Sequence, residues 1–127
     1  SLSPDVLQAL DTGMFFDLMG VRLDAAKAEG KHLVINWQLT DTEENYRLNL
    51  EHATLTYRTG VQDDNAQATV SMTRSTLDQI LLKQTTFPDA VKAGQIKISG
   101  EPNAFFGLLQ MLEVPSGDFP IVTPVSN

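Results

Sequence analysis

Hydrophobic residues recur along this chain at two spacings, one typical of strands and the other typical of helices. Alternation of apolar and polar positions predicts β-strands with one buried face. Apolar residues at intervals of three and four positions predict helices with one buried stripe. Between Ala68 and Leu112 the two patterns alternate, and they predict a strand, a helix, a second strand and a second helix. This stretch is the organising part of the predicted fold.

Period-two alternation predicts five strands, each with its larger apolar residues on one side. They cover residues 33–40, 46–51, 54–58, 68–72 and 95–100. The second and third strands are connected at His52 and Ala53, which lack the Asn-Gly sequence of a tight hairpin. The sequence therefore leaves the register of these two strands open.

Helical spacing and capping residues predict five helices. They cover residues 3–10, 14–28, 74–82, 88–94 and 102–112. Ser3 and Pro4 form a helix-start sequence, Thr73 can cap the third helix, and Gly30 and Gly94 can end the helices that precede them. Runs of like elements predict an α+β fold, in which helices pack on one face of a five-stranded, mostly antiparallel sheet.

Composition limits the domain count and the classes of partner. A chain of 127 residues can bury one core, so we expect a single domain over residues 1–127. The formal net charge of −7 makes nucleic acid and an anionic membrane surface poor partners, because like charges repel. No apolar run has membrane-spanning length. The absence of cysteine excludes disulfides and thiolate chemistry, and it leaves the compartment open.

Catalytic and metal-binding motifs give little support for an enzyme. The two histidines, His32 and His52, are about twenty residues apart and lack the spacing of a zinc motif, and a catalytic zinc usually needs three protein ligands. They fit the edges of two loops better than a metal site. A nucleophile elbow, a phosphate loop and a dinucleotide fingerprint are also absent. We therefore expect no catalytic residue, no metal ligand and no cofactor in this chain.

Apolar binding has better support, because the helices carry more apolar surface than one sheet face needs. Phe16, Leu82 and Phe106 each lie off the main stripe of their helix. Two interpretations remain open for these three side chains. They indicate a second apolar environment, either a ligand cavity or a partner surface, or they are ordinary exposed apolar residues, which are common.

One charged residue, Arg22, interrupts the apolar stripe of the first long helix. Its stem can lie on apolar surface while its head stays in water or pairs with a carboxylate. The alternative is an anion clamp for the headgroup of a ligand.

Several stretches resemble a known family. Val70-Ser-Met-Thr73, the helix with Leu77 and Ile80, and Lys97-Ile-Ser-Gly100 resemble the second half of a sterol carrier protein type two domain. Three further stretches are similar to the C-terminal domain of bacterial alkyl (alkyl/aryl) sulfatases, which are zinc hydrolases of the metallo-β-lactamase superfamily. They are Phe16-Asp-Leu-Met-Gly-Val-Arg-Leu-Asp24, Leu33-Val-Ile-Asn-Trp-Gln-Leu-Thr-Asp-Thr42 and Phe119-Pro-Ile-Val-Thr-Pro124.

The resemblance implies a sterol-carrier-like fold and a role in receiving the alkyl chain of a surfactant, fatty acid or lipid. It also implies a zinc-dependent catalytic domain as partner, because the histidine-rich zinc motif of the family has no match in this chain. With the surplus apolar helix faces, it predicts a ligand-binding lining of ten residues. They are Phe15, Met19, Trp37, Met72, Leu77, Leu81, Phe87, Val91, Phe105 and Leu109.

Two other functions stay open at this point. In one, the domain is a structural docking module whose off-stripe residues Phe16, Leu82 and Phe106 pack on the catalytic domain without any ligand. In the other, which ranks third, the chain hydrolyses a substrate by itself.

Overall fold

A computed structural model describes residues 11–113 of the chain. The predicted helix at residues 3–10 and the predicted non-helical tail at residues 115–124 lie outside the described residues. The described part contains five helices and five strands. Their order is two helices, four strands, two helices, one strand and one helix. The α+β fold predicted from the hydrophobic pattern is therefore confirmed.

All five strands form one sheet. They are β1 (Leu33–Leu39), β2 (Glu44–Glu51), β3 (Thr54–Thr59), β4 (Ala68–Met72) and β5 (Lys97–Gly100). Their order across the sheet is β3-β2-β1-β4-β5. The β1–β4 pair is parallel, and the other three pairs are antiparallel. This sheet matches the predicted five-stranded, mostly antiparallel arrangement.

One face of this sheet is apolar and the other is polar. Ile35, Trp37 and Leu39 of β1 are buried on the apolar face. All three pair with apolar residues of β4, and the first two also pair with apolar residues of β2. On the polar face, the Asn36 amide donates to the Asp63 carbonyl at 2.9 Å. Every helix contributes a buried side chain to the single core on the apolar side. The helices therefore cover one face, as the alternation predicts.

The first long helix differs from its prediction. Instead of one helix over residues 14–28, the structure has α1 (Thr12–Arg22) and α2 (Ala25–Ala28). Leu23 leaves the helix to form an isolated bridge with Leu112, and the Asp24 amide donates to the Met111 carbonyl at 2.8 Å. The Asp24 carboxylate then caps α2. Contact with a segment distant in sequence interrupts a pattern that looks continuous locally.

Two of the three remaining helices begin at a side-chain cap. The three are α3 (Arg74–Leu81), α4 (Phe87–Lys92) and α5 (Pro102–Gln110). Thr73 accepts a hydrogen bond from the Thr76 amide at 3.0 Å and caps α3 as predicted. Thr86 caps α4 in the same way, with Pro88 in the first turn. Gly94 adopts a φ of 80° just beyond α4, which agrees with its predicted role as a helix end.

The β2–β3 hairpin has a two-residue turn although it lacks the usual turn sequence. Glu51 pairs with Thr54, so only His52 and Ala53 lie between the strands. Their φ angles are 54° and 57°, a conformation that favours Asn and Gly. The structure thus determines the register that the sequence left open. The two strands form a tight hairpin, and the backbone of its turn is strained.

The double substitution His52→Asn, Ala53→Gly is expected to stabilise the domain by about 1 kcal/mol. It relieves left-handed strain, which costs about 1–2 kcal/mol per residue, and the added entropy of the unfolded glycine offsets part of the gain. Urea unfolding measures the change. Ala93→Gly is the control, because Ala93 has an ordinary φ of −79° and its replacement should destabilise the domain. A loss of stability in the double variant would contradict the backbone strain inferred for this turn.

Candidate ligand-binding site

The ten residues predicted to line a ligand site converge on one side of the sheet. Nine of them are buried, and Val91 is partly buried against the same cluster. They come from α1, β1, β4, α3, α4 and α5. Residues of α1, of β1 and of the stretch from β4 to α5 thus meet over the apolar face of the sheet. The structure therefore brings the ten positions into one continuous apolar region.

Trp37 is the centre of this region. The ring centroids of Phe15, Phe87 and Phe105 lie 5.8, 6.1 and 5.7 Å from that of Trp37. Each pair meets edge to face, which is a favourable geometry for aromatic rings. We call Trp37 and the rings around it the aromatic cluster: Phe15, Phe16, Trp37, Phe87 and Phe105.

Sequence reasoning missed one side of this cluster. Phe16 is only 2% exposed, and its centroid lies 5.2 Å from Trp37, 5.0 Å from Tyr46 and 5.4 Å from Tyr57. Thr12, Phe16 and Met19 are spaced as neighbours on one helix face, and that spacing was the signal for the buried side of α1.

Of the three residues that lie off the main stripe of their helices, Phe16, Leu82 and Phe106, none is an ordinary exposed apolar residue. Phe16 is fully inside the core, and Leu82 and Phe106 are partly buried against it. The buried arc of α1 faces Tyr57 of β3 as well as Trp37, so it is wider than one stripe. Conversely, two apolar residues of α1 are exposed, Met14 by 49% and Val21 by 79%.

Phe15, Trp37, Phe87 and Phe105 are each 0% exposed. Surface clefts of about 520, 220 and 190 Å³ open between described residues, and of the ten predicted positions only Met72 lines one of these three. The Trp37 Nε1–H is buried and has no hydrogen-bond partner among the described residues. The centre of the candidate site thus contains one unused donor in an apolar surrounding.

A polar network borders the aromatic cluster where α1 begins. The Tyr46 hydroxyl donates to the Glu44 carboxylate, and Arg74 Nη1 donates to Thr12 Oγ1 at 3.1 Å. Burial and the bond to Glu44 raise the pKa of Tyr46 to about 12. Burial also raises the pKa of Glu44, but hydrogen bonds with Thr42, Tyr46 and Thr12 outweigh it, and the pKa stays below its ordinary value. Glu44 is therefore stabilised as a carboxylate.

Acid is expected to weaken the fold through Glu44. A carboxyl whose pKa is lowered by folding stabilises the native state above its unfolded pKa, and it loses this contribution as the pH falls through the folded value. The urea midpoint should therefore decrease below about pH 4.5, the ordinary value for this residue. Glu44→Gln should flatten that decrease. Urea titrations from pH 7 to 3 compare the two proteins, and parallel slopes would contradict the assignment.

Arg22 lies outside the aromatic cluster. It lines a surface cleft of about 220 Å³ with Leu18, Val21 and Glu113, and its carbonyl accepts from the Glu113 amide at 2.7 Å. The structure thus places the arginine at the end of α1, beside a carboxylate-bearing residue. The ordinary interpretation of Arg22, a stem on apolar surface with its head in water or paired, and the alternative of a headgroup clamp both stay predictions.

The two histidines are not brought together as a site. His52 occupies the hairpin turn with a side chain that is 90% exposed, 3.5 Å from the Glu51 carboxylate, and His32 is exposed before β1. Within residues 11–113, no group of three or more histidine or acidic side chains is arranged to hold a metal ion.

Solved structures place this architecture in the sterol-carrier-protein class. The solution structure of palmitated SCP2L2 from Aedes aegypti matches with a TM-score of 0.54 at 20% identity. The match covers 74% of this chain and 86% of that one. At this identity the likeness shows the fold alone, and it confirms the sterol-carrier-like fold expected from the sequence.

More similar proteins narrow the class to one family. The family model described as alkyl sulfatase C-terminal matches residues 1–124. Linear primary-alkylsulfatase from Pseudomonas sp is 38% identical over 122 residues, which are 96% of this chain and 18% of that protein. The stereoselective inverting sec-alkylsulfatase Pisa1 from Pseudomonas sp matches with a TM-score of 0.78 and 36% identity, over 90% of this chain and 18% of that one. The chain belongs to the alkyl sulfatase C-terminal family.

The match is confined to one part of these enzymes. The chain spans about 18% of the length of the alkylsulfatases that it matches. The 127 residues therefore correspond to their C-terminal domain and do not include a catalytic domain. Among the described residues, none of the helices has the length and apolar character needed to cross a membrane.

Proposed function

We propose that this domain binds the alkyl chain of an amphiphile in the aromatic cluster and delivers alkyl sulfate to a zinc-dependent sulfatase domain. One observation carries the proposal: residues from six elements form a continuous apolar region centred on Trp37, between the sheet and the helices. Membership of the alkyl sulfatase family supports an alkyl substrate. A protein of the same fold, SCP2L2, has a solved structure in a palmitated form, which supports an acyl-chain ligand.

Binding energy in this proposal comes from the hydrocarbon tail. The chain has a net charge of −7, so its long-range field repels a sulfate headgroup. Burying a twelve-carbon tail gains roughly 10 kcal/mol at about 0.8 kcal/mol per methylene, and association costs at least about 4 kcal/mol. The difference corresponds to a Kd of tens of micromolar. The rings around Trp37 are fully buried, so a tail has to separate them, and the true Kd is expected to be weaker than this value.

A chain-length series tests the proposal. Octyl, decyl and dodecyl sulfate should each displace a fluorescent fatty acid from the 127-residue protein below their aggregation concentrations. Each added methylene should tighten binding about fourfold, because it buries about 0.8 kcal/mol of apolar surface. Circular dichroism in the same samples shows that the fold survives. No saturable displacement up to millimolar surfactant would refute ligand binding and leave an assembly role, which would not use the buried Phe16.

A matched pair of variants locates the site. Val91→Ala should weaken dodecyl sulfate binding about fivefold, because Val91 belongs to the predicted lining and packs against the core. Val21→Ala removes the same two methyl groups from a side chain that is 79% exposed on α1, so it should leave binding unchanged. An equal effect of the two substitutions would indicate nonspecific surfactant binding.

A further inference from the structure

The indole N–H of Trp37 is a buried donor without an acceptor. Trp37 is 0% exposed on the central strand β1, and its Nε1 atom has no hydrogen-bond partner among the described residues. Most buried polar groups in proteins are paired, and an unpaired one loses its hydration without compensation. Such a group in the middle of a candidate site indicates where a ligand acceptor would bind.

The described side chains nearby do not supply this acceptor. Phe15, Phe16, Phe87 and Phe105 surround the indole, with ring centroids 5.2–6.1 Å away. The buried polar residues of the described part are Thr12, Asn36 and Thr76. Thr12 accepts from Arg74, and Thr76 accepts from Thr73. Asn36 bonds to Asp63 and Thr69 on the polar face of the sheet.

The same surroundings determine the charge of the acceptor. The described core contains no buried charged side chain, so an anion beside Trp37 would lose its water without gaining a counter-ion. An uncharged oxygen can accept the N–H bond at much lower cost.

We infer that the aromatic cluster is selective for long-chain alcohols, whose hydroxyl oxygen accepts a hydrogen bond from Trp37 Nε1. This inference rests on the tail binding proposed above, and it makes the alcohol, in place of alkyl sulfate, the preferred ligand of the same site. Hydrolysis of an alkyl sulfate by water gives an alcohol and hydrogen sulfate. The preferred ligand of the domain is then the product of the reaction rather than its anionic substrate, and the domain retains the released alcohol.

The single tryptophan in the sequence makes a direct test possible. In a ¹⁵N-labelled sample, the indole N–H gives one cross-peak, and its proton resonance moves downfield when the group gains an acceptor. Octan-1-ol, 1-chlorooctane and octyl sulfate are titrated separately into the 127-residue protein. We expect saturable binding of the alcohol with a downfield shift, binding of the chloroalkane without one, and affinity for octyl sulfate at least tenfold weaker than for the alcohol.

Trp37→Phe removes the donor and keeps an aromatic ring. It should reduce the preference for octan-1-ol over 1-chlorooctane about tenfold, the size of one net hydrogen bond. Phe87→Leu is the control, because it alters the packing beside Trp37 and leaves the donor in place. It should weaken both ligands by the same factor. If Trp37→Phe does not fold, the change in the proton shift of the wild-type indole N–H is sufficient to test the inference.

The possible outcomes separate the two proposals. A downfield shift with octan-1-ol alone, together with loss of preference in Trp37→Phe, supports alcohol recognition. Equal binding of octan-1-ol and 1-chlorooctane without a downfield shift overturns it and leaves tail binding intact. Tighter binding of octyl sulfate than of the alcohol also overturns it. The absence of binding by all three ligands overturns both the inference and the proposed function.

Discussion

Phe16→Ala is expected to destabilise the domain by about 3–5 kcal/mol, the usual cost of emptying a large buried site. Phe16 is 2% exposed and contacts four other aromatic rings, so its removal leaves a cavity between α1 and the sheet. Urea unfolding of the wild-type and variant proteins gives the difference in free energy. A domain of this size typically has a stability of about 5–15 kcal/mol, so the variant should be close to its folding limit.

Phe106→Ala is the matched control for this experiment. Phe106 is partly buried at the edge of the core, with its ring 5.6 Å from that of Phe105. The same chemical change should therefore cost clearly less than at Phe16. Equal costs at the two positions would mean that Phe16 lies at the surface, as its place off the sequence stripe suggested.

Gly100→Ala is expected to cost roughly 2–5 kcal/mol. Gly100 has a φ of 88°, where a side chain costs about 1–2 kcal/mol. An added Cβ would also lie 2.5 Å from the Gln67 carbonyl oxygen and 3.2 Å from the Ala68 Cα, and relieving such overpacking adds about 1–3 kcal/mol. Both contacts are backbone atoms of the paired segment, so β4 and β5 would have to separate. Thermal or urea unfolding measures the loss.

Gly94→Ala separates the two contributions. Gly94 has a similar φ of 80°, but an added Cβ there meets nothing within 4 Å. It should therefore show only the conformational cost, about 1–2 kcal/mol. The difference between the two variants measures the close approach of β5 to the chain before β4. Equal losses in both would exclude a steric role for Gly100.

The strands could be predicted because their side chains obey a local rule. Alternation along β1 and β2 reflects one buried and one solvated face, and each residue reports its own face. The tight β2–β3 turn could not be predicted, because His52 and Ala53 adopt left-handed conformations that the neighbouring strands impose. The break between α1 and α2 depends on Leu112 and Met111, which are distant in sequence.

The candidate site was predictable only in part, for a related reason. Residues on one stripe, such as Phe105 and Leu109, can be recognised as buried from their helical spacing. Phe16 shares a helix face with Thr12 and Met19, but Thr12 is polar, so this face is harder to recognise as buried. Contacts with Tyr46 and Tyr57 of the sheet complete the burial of Phe16. The unpaired N–H of Trp37 has no sequence signature at all. It follows from the arrangement of four rings contributed by three helices.

The contact between residues 22–24 and residues 111–113 has a kinetic consequence. Leu23 bridges Leu112, and two further backbone hydrogen bonds join Asp24 to Met111 and Glu113 to Arg22. Closing it requires almost the entire described sequence to be in place, so the loop entropy is large. During synthesis, therefore, α1 cannot complete its contacts with the rest of the domain until α5 has left the ribosome. A chain that ended before Met111 would lack the contact that fixes the end of α1, and the apolar face of α1 would then be less well held against the core.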